Sequence, residues 1–487
     1  MLEEDLHKFA LGTILFIGWE ILAVATIFNV VMKARSAAGA WGWAMAMLAF
    51  PFIAVPLYWI LGRQQFNGYM DRLREAQASN ERIFSELKKT LSIHFAELTD
   101  EQKRYGGVLE KLSERRWTKG NEVCLLINGE MTFEAIFAAM ESAEEYILAQ
   151  FFIVKNDKLG NEFRELLEKK ARAGVRVYFV YDEIGSHALP KKYVRSLREA
   201  GVNVHAFHST QGPSNRFQIN FRNHRKIVVV DGRVGFVGGH NVGDEYCEVT
   251  ERFGAWRDTH VQLIGPSVLS LQMIFLGDYY WAAREVPDLR WDQVSAADGS
   301  GCGAGESEVL TLPTGPVETI EGGTIFFLNA ITRAKRRIWI ATPYFVTDES
   351  IRSALQMAAL RGVDVRIMIP DKPDKYIPWL ATFSYLADME AAGVRVFRYE
   401  PGFLHSKVIL VDESFSSVGT ANLDNRSMRL NFEVSAVVLD TEFAKSVESM
   451  FEMDWDNCRE VGGADYLNRP AYFRLGVKLA RLGSPVL

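Results

Sequence analysis

The sequence predicts an α/β protein: two tandem βαβ repeats forming a pseudo-twofold core, preceded by an N-terminal two-helix transmembrane hairpin. Three observations predict it. Two long apolar runs open the chain, amphipathic helical segments then alternate with short apolar strands, and the same order of segments occurs twice.

The apolar runs are Leu11–Met32, interrupted only by Glu20, and Ala40–Leu61. Each is long enough for the hydrocarbon core, which takes about 20 residues to cross. A signal peptide has a shorter apolar region and would not explain a second run. Glu20 is expensive in lipid and is expected to face the partner helix or a polar cavity. Pro51 and Pro56 are accommodated as kinks. Lys8, Arg63, Arg72 and Arg74 flank the pair, against Lys33 and Arg35 in the loop between. Positive residues favour the cytoplasm, so both ends and the long remainder are expected there.

Residues 1–65 are thus read as the hairpin, with helices over about 11–32 and 40–61. Residues 66–120 are charged and helix-prone, a connector that is either solvated or laid along the membrane surface. From 121 the βαβ rhythm begins: "YILAQFFIV" a strand, "GNEFRELLEKKARAG" a helix, "VRVYFVYD" a strand. "IWIATPYFV", "ESIRSALQMAALRG" and "VDVRIMIPD" repeat that order. The first repeat is placed at 121–294 and the second at 309–462. A Gly/Ser/Ala-rich linker lies between them at 295–308. An amphipathic basic segment closes the chain at 463–487. The first repeat holds extra residues around "STQGPSNRFQI", just before its motif, where an insertion is expected to act as a lid or substrate loop.

The charge balance, 55 Lys plus Arg against 61 Asp plus Glu, argues against nucleic acid as a partner. Cys124, Cys247, Cys302 and Cys458 form no CxxC, so neither a zinc knuckle nor a disulfide framework is expected, and the thiols are read as reduced.

The chemistry lies in a doubled motif. "NHRKIVVVDGRVGFVGGHN" runs from Asn223 to Asn241, and "LHSKVILVDESFSSVGTAN" from Leu404 to Asn422. His224 and Lys226 are two apart on a strand and share a face, as do His405 and Lys407. Asp231-Gly232 favours a tight turn, and simple hairpin pairing would then set Asn241 opposite His224 and Gly239 opposite Lys226. The second copy would likewise set Asn422 opposite His405 and Thr420 opposite Lys407. Two histidines, two lysines and two asparagines converging suit a phosphate group, because ammonium and amide groups donate to its oxygens. One imidazole can attack phosphorus and the other can give its proton to the leaving alkoxide. Each histidine needs its other nitrogen held by a carboxylate. Asp258, in the strand after His224, and Glu433, in the strand after His405, are the candidates. Asp231 and Asp412 stand at turns, where fixing local structure is the expected role. No metal or other cofactor is required: the chain has no HExxH and no acidic cluster with metal spacing.

This doubled motif resembles the HxK(x)4D(x)6GSxN signature of the phospholipase D superfamily, over about Glu122 to Asn457. The chain departs from it at the serine, which is Gly239 in one copy and Thr420 in the other. Within the superfamily the chain is similar to the bacterial cardiolipin synthases, through the two apolar runs, "WRDTHVQLIGP", "TPYFVTD", "NLDNRSMRLNFE" and "RLGSPVL". The resemblance implies two phospholipase D-like repeats with a catalytic set of His224, Lys226, Asp231, His405, Lys407 and Asp412. Asn241, Asn422 and Thr420 are then expected at the phosphate, and His224 as nucleophile. It implies transfer of a phosphatidyl group between two phosphatidylglycerols, giving cardiolipin and glycerol, by a membrane-embedded enzyme of the bacterial inner membrane. A membrane-anchored hydrolase, a phosphatidylserine synthase and an inactive lipid-binding scaffold are the alternatives. A homo-oligomer is compatible with the residues.

Overall fold

The computed structural model describes residues 2–487 except 35, 212–214, 216–217, 248–253, 293, 295–304 and 319. The chain forms two compact units, Met1–Gly68 with Ser209–Phe221, and Tyr69–His208 with Arg222–Leu487.

In the first unit, helix Leu2–Lys33 contains a 24-residue stretch, Ala10–Lys33, that is long and apolar enough to cross a membrane. The second apolar run differs from the single helix expected. It forms two shorter helices, Ala37–Ala49 and Pro51–Leu57, and a π-helical turn, Tyr58–Gly62. The break is at Phe50, because Pro51 disfavours helical geometry in the residue before it and brings no N–H of its own. Ala23 and Val30 of the long helix pack with Met47, Ala54, Val55 and Tyr58. The Tyr58 hydroxyl donates to Asn29 Oδ1 at 3.0 Å. Leu15, Val24, Phe28 and Val31 are left exposed. The described part of the inserted loop bonds to the π-helical turn and the chain after it: Asn220 Nδ2 donates to the Leu61 carbonyl, and Asn215 Nδ2 to that of Asn67 at 2.9 Å.

In the second unit the connector becomes three helices, Tyr69–Ser79, Glu81–Ser92 and Asp100–Ser113. The first is pinned to the core: Tyr69 donates to Asp278 at 2.7 Å, and the Arg72 guanidinium lies 3.7 Å above the Trp281 ring. Asp278 and Trp281 belong to helix Ser267–Ala283, which is apolar around most of its circumference and almost wholly buried.

One continuous sheet runs through this unit. From one edge the strands are Asn203–Phe207, Arg176–Asp182, Tyr146–Phe151, Ile227–Val230, Val234–Gly238, Thr259–Ile264 and Thr118–Ile127. The order then mirrors itself: Ser307–Thr314, Asn431–Leu439, Phe415–Gly419, Val408–Val411, Arg337–Ala341, Asp364–Pro370 and Arg395–Tyr399, with Cys458–Val461 added at the far edge. Parallel strands joined by helices form the two wings, and antiparallel strands form the middle. Each half has its own core, one around Phe163, Phe179 and Phe236, the other around Phe326, Leu355 and Leu386. Most of the linker falls outside the described residues, and its strand resumes at Ser307. Cys247 and Cys458 are free thiols, whereas Cys124 is disulfide-bonded, so the expectation of reduced thiols fails there.

Candidate active site

Both histidine-lysine segments lie in the middle of the sheet, immediately before the strands Ile227–Val230 and Val408–Val411. What fixes them is the opposite half. The backbone of Arg222–Asn223 pairs in parallel with Asn431–Phe432, and the His224 N–H donates to the Phe432 carbonyl at 2.9 Å. Symmetrically, Gly402–Leu404 pairs with Ala255–Arg257, and the His405 N–H donates to the Arg257 carbonyl at 2.8 Å.

This exchange carries the carboxylates with it. His224 Nδ1 lies 2.9 Å from Glu433 Oε2, and His405 Nδ1 lies 2.6 Å from Asp258 Oδ2. Each carboxylate therefore holds the histidine of the other repeat, not of its own. A carboxylate only accepts, so each Nδ1 carries the proton and each Nε2 presents a lone pair.

The Lys226 and Lys407 ammoniums donate to the carbonyls of His224 and His405 respectively, the first at 2.6 Å. Burial lowers Lys226 to about 7 and Lys407 to about 8. Burial also lowers His224 to about 4, against the pull of Glu433, and holds His405 well below the usual imidazole value. Burial thus favours neutral imidazoles, and each histidine feels the lysine of the opposite repeat.

The hairpins correct the expected register. Val230 pairs with Val234 and Val411 with Phe415, leaving three-residue loops and shifting the pairing by one residue. Continued to the motif, this offset sets His240, not Asn241, across from His224. The cause is the aspartate at each turn. Asp231 and Asp412 adopt left-handed backbone, with φ 51° and 50°. Asp231 accepts from the amides of Glu144, Glu145 and Tyr146, each at 2.8 Å. Asp412 accepts from Lys335, Arg336 and Arg337. Their carboxylates are occupied by backbone amides at the strand end remote from the histidines.

Thr420, expected at the phosphate, has a fully buried hydroxyl that donates to Glu433 Oε2 at 2.6 Å and accepts from the Val434 amide at 2.9 Å, so it braces the carboxylate. Asn431 Nδ2 donates to the other Glu433 oxygen at 3.1 Å. In the first copy a Cβ on Gly239 would overlap the Asp258 carboxylate, which instead accepts from the Thr259 amide at 2.8 Å. Asn241 accepts from the Ile153 amide at 3.0 Å and donates to the Tyr246 hydroxyl at 2.9 Å. Asn422 donates to Asp424 at 3.2 Å.

The sequence reading missed the supports behind these groups. Arg225 turns away from His224 and Lys226, binds both Asp278 oxygens at 2.9 and 3.0 Å, and donates to the Glu433 carbonyl. Gln150 donates to Asp278 and to Asn223, both at 2.7 Å. Arg257 pairs with Asp454 at 2.8 Å. The available signal was a charged residue inside an apolar run: Asp278 in "FLGDYYW". Phe152 packs edge-on to His224 at 4.9 Å, and Trp256 lies 5.3 Å from His405. Among the described residues no three His, Cys, Asp or Glu side chains gather as a metal-binding group.

The chain is similar to known proteins along most of its length. A family model described as "Cardiolipin synthase, PLD-like domain" matches residues 136–251 and 327–455, and a phospholipase D-nuclease N-terminal model matches 21–63. Cardiolipin synthase A of Pseudomonas putida (strain W619) is 44% identical over 96% of both chains, as is that of Pseudomonas syringae pv. syringae. In fold, the chain resembles a phosphatidylserine synthase from Haemophilus influenzae, with a TM-score of 0.58 and 14% identity over 80% of this chain and all of that one. With family models on both repeats and relatives of this identity along nearly its whole length, the chain belongs to the cardiolipin synthase family of the phospholipase D superfamily.

Proposed function

We propose that the chain makes cardiolipin by moving a phosphatidyl group from one phosphatidylglycerol to the glycerol of another. The observation that carries this reading is the pair of buried, carboxylate-held histidines, each within electrostatic reach of both buried lysines. His224 Nε2 attacks phosphorus while Glu433 stabilises the positive charge that develops on the ring. His405 delivers a proton to the departing glycerol oxygen, and the phosphatidyl group rests on His224. His405 then takes the proton of the incoming glycerol hydroxyl, whose oxygen attacks phosphorus and frees His224. Lys226 and Lys407, with the remaining N–H of Asn241 and of Asn422, surround the phosphate oxygens. A phosphodiester anion in the pocket favours the charged form of His405 that burial disfavours.

The second apolar run crosses the bilayer with the first, and the catalytic unit stays in the cytoplasm of the bacterial cell. The support is the four-to-two excess of Lys and Arg outside the loop. A cysteine at Ala34 would then react with a membrane-impermeant maleimide in spheroplasts.

The deciding experiment gives purified protein phosphatidylglycerol with a labelled headgroup. Cardiolipin and free glycerol are expected, both lost in His224→Ala and in His405→Ala. Phosphatidic acid and glycerol without cardiolipin would instead mean a hydrolase.

A further inference from the structure

The C-terminal helix, Ala471–Leu482, has two apolar faces, and only one is used inside the protein. Phe473, Val477 and Ala480 form the first. Phe473 packs against Trp379 and Phe383 of helix Tyr376–Ala391, and Val477 and Ala480 join the core of the second repeat. Tyr472, Leu475, Leu479 and Leu482 form the second. Their spacing of three, four and three residues makes a single stripe along the helix. That stripe is 78, 61, 59 and 78% exposed.

Charge selects the occupant. The helix carries Arg474, Lys478 and Arg481 and no acidic residue, and Arg469 precedes it. Arg474 and Lys478 are exposed and flank the leucine stripe on one side. A protein groove would suit the leucines alone. Leucines bordered by long basic side chains suit an interface where acyl chains meet anionic headgroups.

The helix is also tied to the site. After it, the Ser484 carbonyl accepts from Asn425 Nδ2 at 2.8 Å, and the Leu487 carbonyl accepts from the Arg426 amide at 2.9 Å. Asn425 and Arg426 begin the short helix between Asn422 and Glu433.

We infer that Ala471–Leu482 is a membrane-docking helix that lies in the surface of an anionic bilayer. Tyr472, Leu475, Leu479 and Leu482 enter the acyl region, and Arg474 and Lys478 sit among the headgroups. The inference rests on this helix alone and does not depend on which reaction the histidines carry out.

The test uses the full chain reconstituted in phosphatidylcholine vesicles, with and without phosphatidylserine. The vesicles are doped with a phosphatidylcholine bearing a diazirine at the end of one acyl chain. After irradiation, peptides from Ala471–Leu482 should carry several-fold more label than those from the charged helix Lys158–Arg172, and more still when phosphatidylserine is present. Leu475→Ser/Leu479→Ser should lower the label about tenfold, and Arg474→Glu/Lys478→Glu should remove the phosphatidylserine dependence. The substituted side chains are exposed, so the melting temperature of both variants should match that of the parent. Label no higher than on Lys158–Arg172, or equal label in both vesicles, would overturn the inference. Crosslinking of this helix to a second copy of the chain in place of lipid labelling would also overturn it.

Discussion

At the scale of single residues, the site depends on where protons sit. Lys226 has its ammonium pushed from 10.5 down to about 7 by burial, so it loses its proton as pH rises through neutrality. We expect kcat/KM, which reports the free enzyme, to fall on the alkaline side of about pH 7. Lys226→Arg, whose guanidinium stays charged, should move that limb to higher pH even if the rate is lower. Gly239 is a second sensitive position. A serine there, as in the superfamily signature, would press its Cβ into the Asp258 carboxylate and displace His405. Activity of Gly239→Ser should drop by about 100-fold, with the melting temperature little changed, because small displacements of reacting groups are that costly. The departure from the signature was visible in the sequence. Its reason, a short carboxylate arriving from the same repeat to serve the other repeat's histidine, needed the fold.

At the scale of elements, the two turn aspartates organise the hairpins. Asp231→Ala would leave three amides without their acceptor and place alanine in left-handed backbone. Equilibrium unfolding should register a loss of about 3 kcal/mol, with KM unchanged. Strands and helices were legible in the sequence because apolar periodicity reports burial directly: "YILAQFF" and "IWIATPYF" announce buried strands in any context. Register was not legible. Asp-Gly signals a tight turn, and the three-residue loop arises because Asp231 is drawn toward the start of a strand some eighty residues earlier. The second apolar run failed for a local reason that was in view. Pro51 was read as a kink in one helix, whereas it ends one helix and starts another.

At the scale of the molecule, two similar sequences build one site, and both dyads cross the boundary between them. The crossing lies within a single chain. A mixture of His224→Ala and His405→Ala proteins in one vesicle should therefore stay near background, about 1% of the parent or less. A site shared between chains would recover an appreciable fraction by mixing. Residue types and their convergence could be read from the doubled motif. The partner of each histidine could not, since distance along the chain favours Asp258 for His224 and Glu433 for His405, and the sheet reverses both.

That reversal constrains how such a chain can change over generations. A repeat standing alone would own a histidine and a carboxylate that cannot reach each other, so one copy becomes useful only when it meets another across a twofold axis. Once the two are fused, neither can be released to drift or take up a new task. Damage to the carboxylate of one disables the histidine of its twin, and selection sees both copies as a single inherited unit.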